Sequence, residues 1–196
     1  MTISLRNGVA IEHPFEVALD FLDTYGRDET DPSGPTVFGE PDLRLANRQG
    51  ARISAVQIEE VLSRRRVIER ALRAIEPGAS LARAAKDVPW CGLRQLFDAF
   101  AGIHGVGFSK TTKALHRKRP ALIPMLDSIV QAYLVDDDPG QKTPFAERGL
   151  ALVRGYKRDL DGNRRALRAT VRELARRDYE VSAVRLLDIL IVTTPS

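Results

Sequence analysis

Residues 101–127 read AGIHGVGFSKTTKALHRKRPALIPMLD. Gly105-Val106-Gly107 joins one helical pattern, Leu93 to Ile103, to a second that runs from Phe108 to about Arg117. Gly105 and Gly107 allow positive φ and a tight reversal, and Val106 between them can plug the gap between two helices. Ile103 and Leu115 supply apolar packing on either side. Past the turn, the unpaired N–H groups of Phe108 to Lys110 and the positive end of the helix dipole make an anion site. Ser109, Lys110 and Lys113 follow, the two lysines one turn apart. Twenty residues after Gly107 comes Asp127, the sole acid between Asp98 and Asp136. Aspartate is a favoured helix N-cap, and it is also a group that can work on a ligand held beside it. Both readings of Asp127 fit the residues.

Working outward, apolar residues recur at helical spacing. Phe15, Leu19 and Leu22 predict a short first helix, and residues 26–41, rich in proline and glycine, predict an irregular connection. Ile58, Val61, Leu62, Ile68, Leu72 and Ile75 predict one long amphipathic helix closed by Pro77-Gly78, with Arg64-Arg65-Arg66 on its solvated face. Ser80 is expected to cap a short helix through Lys86, and Pro89-Trp90-Cys91-Gly92 to break the chain before the Leu93 helix. Leu126, Ile129, Val130, Tyr133 and Leu134 form a stripe. Asp136 to Asp138 read as loop or cap, able at most to hold a cation weakly. Helices are expected near 145–158, over 163–177, and from Ser182, an N-cap. VRLLDILIV near the C-terminus reads as core. No alternating strand and no repeat stands out, so the class is all-α.

The composition narrows the partners. A formal charge of +4 and a pI near 9.5 are mildly basic, which favours polyanions without requiring them. The distribution is sharper: residues 104–119 hold Lys110, Lys113, Arg117, Lys118 and Arg119 with no acid, which predicts a positive patch beside the glycine turn. Cys91 is the single cysteine, so neither an intramolecular disulfide nor a multi-cysteine metal site can form; a buried structural thiol is expected. His13, His104 and His116 share no metal-ligand spacing, and no cofactor or metal is expected. The first residues lack the pattern of a secretory signal, and no stretch approaches a membrane span. A cytoplasmic monomer without a membrane partner is expected.

IHGVGFSKTTKAL followed by IPMLDSIVQAYL resembles the core of the helix–hairpin–helix DNA glycosylase superfamily, over residues 100–134. Pro124-Met125-Leu126-Asp127 with Val130 is similar to its adenine-specific branch, and the excess of arginine over lysine suits a branch from GC-rich actinobacteria. The resemblance implies a six-helix barrel at 41–135, carrying the hairpin at 102–117. It also implies a second small helical lobe, in which the N-terminal segment 1–40 packs with the C-terminal helices of 136–196 across a cleft. A nucleotide of double-stranded DNA is flipped into such a cleft. Gly105, Gly107, Ser109, Lys110 and Lys113 would hold backbone phosphate, which positions without reading sequence. Asp127 would stabilise an oxocarbenium-like sugar and position or deprotonate water.

Two departures refine the expectation. His104 stands where the family has proline. Ser109 stands where bifunctional members carry a nucleophilic lysine, and Lys110, one residue on, is rotated by about 100°. The expected reaction is therefore monofunctional hydrolysis of the base–sugar bond of a damaged or modified nucleotide. Asn47 and Arg48, with Gln49, are candidates for pocket or wedge groups, against a solvent-facing helix end. The alternative function is a non-catalytic DNA-binding module using the same hairpin, and a third is a helical regulator that binds another protein.

Overall fold

In the computed structural model, which describes residues 2–25 and 31–194, helices dominate. A two-residue antiparallel ladder comes first, β1 (Ile3–Ser4) against β2 (Ala10–Ile11), with Ile3 opposite Ile11. Two residues per strand are too few to print an alternation in the sequence, which is why the all-helical expectation passed over them. Part of the expected 26–41 connection, residues 26–30, lies outside the described residues; from 31 to 39 the chain is irregular.

Ten helices follow among the described residues. The first three are α1 (Pro14–Tyr25), α2 (Glu40–Arg48) and α3 (Ala55–Ser63). Next come α4 (Arg65–Arg73), α5 (Trp90–Phe100) and α6 (Phe108–His116). The last four are α7 (Ser128–Tyr133), α8 (Phe145–Gly162), α9 (Arg164–Ala175) and α10 (Ala183–Val192).

The single long helix expected over 58–75 is two helices. Arg64, at φ −97° and ψ 6°, closes α3 and opens α4. Its guanidinium donates to Ala101 O at 2.5 Å and Ala99 O at 3.3 Å, so it satisfies carbonyls that the end of α5 leaves over. The break lets both pieces follow the core, burying Val61, Ile68 and Leu72. Ser54 caps α3 through Gln57 N at 3.3 Å. The short helix expected from Ser80 is absent: Ser80 Oγ accepts from Ala82 N within a turn, and the one regular piece is a 3-10 turn, Ala85–Asp87.

α4 and α5 cross so closely that a Cβ on Gly92 would lie 2.5 Å from Ile75 Cγ1. Because Gly92 and Leu93 take the inner face at that crossing, Cys91 is turned outward. The expected buried thiol is therefore exposed. α5 packs along α8, and α1 packs against α9 and α10. α10 is buried from Leu186 through Ile191, its one acid Asp188 included. No described helix is long and apolar enough to cross a membrane.

Candidate functional site

The glycine turn forms as a reversal between α5 and α6, with only part of the expected backbone. Gly105 has φ +69°, as has Gly102 at +75°, but Gly107 lies at φ −90° and ψ −170°, an extended N-cap. Nothing approaches within 4 Å of where a Gly107 Cβ would sit. Val106 and Ile103 are buried. Phe108, the first residue of α6, stacks on Phe145 at 4.3 Å and meets Phe97 edge-on at 6.0 Å. That aromatic cluster fixes the start of α6 to α5 and α8.

Gln57 braces the turn. Its amide donates to His104 O at 3.0 Å and accepts from Lys110 Nζ at 2.7 Å. Gly105 takes the positive φ that favours glycine, and a Cβ there would sit 2.5 Å from the Gln57 amide nitrogen and displace that brace. Lys113 leans the other way, donating to Gln49 O at 3.0 Å. The two lysines thus engage different neighbours, and Ser109 between them is half-buried.

The expected positive patch is smaller than the sequence suggests. Lys118 Nζ is buried, bonded to Asp31 at 2.5 Å, Asp42 at 2.6 Å and Gly34 O at 3.0 Å. Arg119 is fully buried; it donates to the carbonyls of Leu72 and Ile75 at the end of α4, and to Pro35 O and Lys118 O, all at 2.6–2.7 Å. Orphan carbonyls and buried acids recruit these two charges inward. Arg117 alone of the three faces the cleft.

That cleft has a volume of about 450 Å³. One side is α6 and the end of α2, with Lys113, Arg117, Arg48 and Gln49; the other is α1 and α10, with Phe21, Tyr25 and Arg185. The irregular segment 122–127 lies between them and brings Asp127 into the space. This segment is held from both sides: Leu126 N donates to Thr112 Oγ1 of α6 at 2.9 Å, and Met125 N donates to Asp188 Oδ2 of α10 at 3.2 Å. Thr112 is itself set by its bond to Phe108 O at 2.8 Å, so the hairpin helix and the aspartate share one chain of hydrogen bonds.

Asp127 does two things in this arrangement. Oδ1 accepts from Ile129 N and Val130 N, both at 3.0 Å, which makes it the N-cap of α7. Oδ2 accepts no hydrogen bond among the described residues and is left for the cleft. Capping and an open carboxylate oxygen are therefore compatible in the same side chain. Asn47 is differently employed: its amide brackets Ile53, accepting from the N–H at 2.6 Å and donating to the carbonyl at 2.9 Å. Asn47 thus shapes the loop that carries Gln49, while Arg48 reaches the cleft.

Asp188 belongs to the VRLLDILIV stretch expected to be core. It is 1% exposed at the cleft floor, and its Oδ1 has no hydrogen-bond partner among the described residues. Burial pushes its carboxyl up to about 7; Arg185, the Met125 N–H and Tyr156 pull it down, and Asp127 raises it further. The signal was present in the sequence, since a lone acid inside LLDILIV can be accommodated only by a partner or by staying protonated.

Two acids of the run 136–138 are structural, and Asp136 is exposed. Asp137 pairs with Arg6 and Arg158, and Asp138 pairs with Arg148 at 2.5 Å. Among the described residues no cluster of histidine, cysteine and acids is placed to hold a metal.

No curated protein and no solved structure matches the chain. The match to a family of unknown function, DUF6308, covers residues 17–194, and the chain belongs to that family.

Proposed function

We propose that this protein is a glycosylase-like DNA-binding enzyme, with α2 to α7 as the glycosylase-like barrel and α1 with α8 to α10 as the second lobe. It would hydrolyse the base–sugar bond of a damaged or modified nucleotide flipped into the cleft. One observation carries the reading: Asp127, fixed through Oδ1, presents Oδ2 to a cleft that Lys113 of the hairpin helix also lines. A volume of about 450 Å³ falls in the usual range for small-ligand sites. Its cations, Arg48, Lys113, Arg117 and Arg185, suit the phosphates that flank a flipped nucleotide, and Phe21 with Tyr25 offers aromatic surface for a base. Phosphate on the far side would meet the unpaired N–H groups at Gly107 to Lys110.

In this reading the Asp127 carboxylate stabilises positive charge at the sugar as the bond to the base breaks, and orients the attacking water. Asp188, neutral below about pH 7, spares Asp127 a second negative charge on the floor of the site. With Ser109 at the hairpin, water is the nucleophile.

The test uses the full chain on duplexes that carry single, varied base lesions, followed by alkali to cut abasic sites. Cleavage at one lesion class, reduced at least 100-fold in Asp127→Asn, supports the reading. Asparagine keeps the helix cap, so that variant separates capping from chemistry. Equal cleavage by Asp127→Asn rejects it. Binding to duplex without cleavage of any lesion would leave the non-catalytic module, which the two capping hydrogen bonds on Asp127 Oδ1 also fit.

A further inference from the structure

α9 carries a second basic feature, on the opposite lobe from the hairpin. Its sequence, RRALRATVRELA, is followed by Arg176 as C-cap. Arg165, Arg168, Arg172 and Arg176 fall at i, i+3, i+7 and i+11, within an arc of about 80° on a helix that turns 100° per residue. All four are exposed, and none makes an ion pair or hydrogen bond through its side chain among the described residues. From Arg165 to Arg176 the stripe runs about 16 Å along the axis.

The placement is electrostatically costly to the isolated protein. Arg168 and Arg172, then Arg172 and Arg176, are like charges four residues apart, which destabilise a helix. Arg164 and Arg165 lie in the first turn, where the helix dipole disfavours cations. The one acid in α9, Glu173, lies at the edge of the stripe and pairs with none of its members. α4 handles a similar density of arginine differently: Glu69 takes both Arg65 and Arg73.

The chemistry of the surroundings selects the partner. Asp161 occupies the N-terminal end of the groove formed with these arginines, but it is already paired with Arg164 at 2.7 Å and Lys157 at 3.0 Å. The arginines lie in a line and do not converge, which fits an extended row of phosphates better than one small anion. A membrane-surface helix would need an apolar flank to insert, whereas Leu167 and Leu174 of α9 are buried in the protein.

We propose that the Arg165–Arg168–Arg172–Arg176 stripe is a second phosphate-binding surface, which takes the backbone of nucleic acid outside the cleft. It rests on the proposed DNA-binding reading and extends the footprint beyond the hairpin.

The experiment measures binding of a fluorescent duplex across a salt series for the parent and the triple variant Arg165→Ala, Arg168→Ala, Arg172→Ala. Each lost phosphate contact flattens the plot of log affinity against log salt by about 0.9. The expected result is a slope shallower by about 2–3 and at least tenfold weaker binding at low salt in the triple variant. The triple variant should melt no lower than the parent, because it loses repulsion and no partner. If the parent binds duplex and the triple variant keeps its slope, the stripe is overturned while the DNA reading stands. If the parent binds no duplex, that reading itself fails and the stripe with it. A parallel arm with phosphatidylserine vesicles overturns the proposal if the triple variant loses vesicle binding and retains duplex binding.

Discussion

Two basic stretches of this molecule look alike as text and behave in opposite ways. Arg117-Lys118-Arg119 is contiguous in the turn that follows α6, and buried carbonyls and acids turn two of its three charges inward. Arg165, Arg168, Arg172 and Arg176 are spread over twelve residues, yet they share one exposed face. Spacing of three and four on a helix keeps charges on one face, whereas in a turn each charge follows the nearest buried partner. The inward charges hold the fold around the hairpin, and the outward ones are available to a partner.

The largest effect that could break this contrast is at Arg119. Its guanidinium serves four backbone carbonyls, two of them at the end of α4. Arg119→Met should cost about 3–5 kcal/mol, because buried carbonyls are left unpaired, as read by urea denaturation. A loss below about 1 kcal/mol would mean that water or a neighbour replaces it.

Next is the acid beneath the outward-facing cations of the cleft. The Asp188 carboxyl titrates near 7 in the folded protein, above the ordinary value near 4, so the native state keeps a proton that the unfolded chain has released. That contribution to stability is fully present below about pH 4 and is lost as the pH rises through 7, up to about 4 kcal/mol in all. Asp188→Asn should flatten the dependence of stability on pH over that interval and be the more stable form above it. Unfolding followed from pH 4 to 8 in both proteins checks this; parallel curves would show that Asp188 is ionised throughout.

Smaller effects sharpen the comparison. Asp127→Ala should lose about 1 kcal/mol of stability with its cap, and Asp127→Asn only a few tenths, by thermal melting. Arg168→Ala on the exposed stripe should change stability by less than about 0.5 kcal/mol, an order of magnitude below Arg119→Met in the same assay.

Much of the helical order was legible from periodicity, including the starts of α6 and α10 and the cap at Asp127. What failed to show was decided by tertiary partners. The α3–α4 break follows from Arg64 reaching the end of α5, a contact between residues nearly forty positions apart that no local pattern encodes. Gly107 is extended because it caps α6, while Gly105 alone of the pair meets the turn's demand for positive φ. Cys91 is exposed because Gly92 and Leu93 take the inner face of α5. Of the candidate site, Asp127, Lys113 and Arg48 line one cleft, whereas Lys110 and Asn47 turn to Gln57 and Ile53. Asp188 was in plain view as an acid within an apolar helix, but only the fold places it under Asp127.

In the proposed reaction, Asp127 acts through its Oδ2 on a nucleotide held in the cleft. Alkali-revealed strand cleavage of lesion-bearing duplex, compared between the parent and Asp127→Asn under single-turnover conditions, tests it most directly. Expected are cleavage of at least one lesion class by the parent and a loss of at least 100-fold in the variant. Cleavage at the same rate by both proteins, or none by the parent against any lesion, would contradict it.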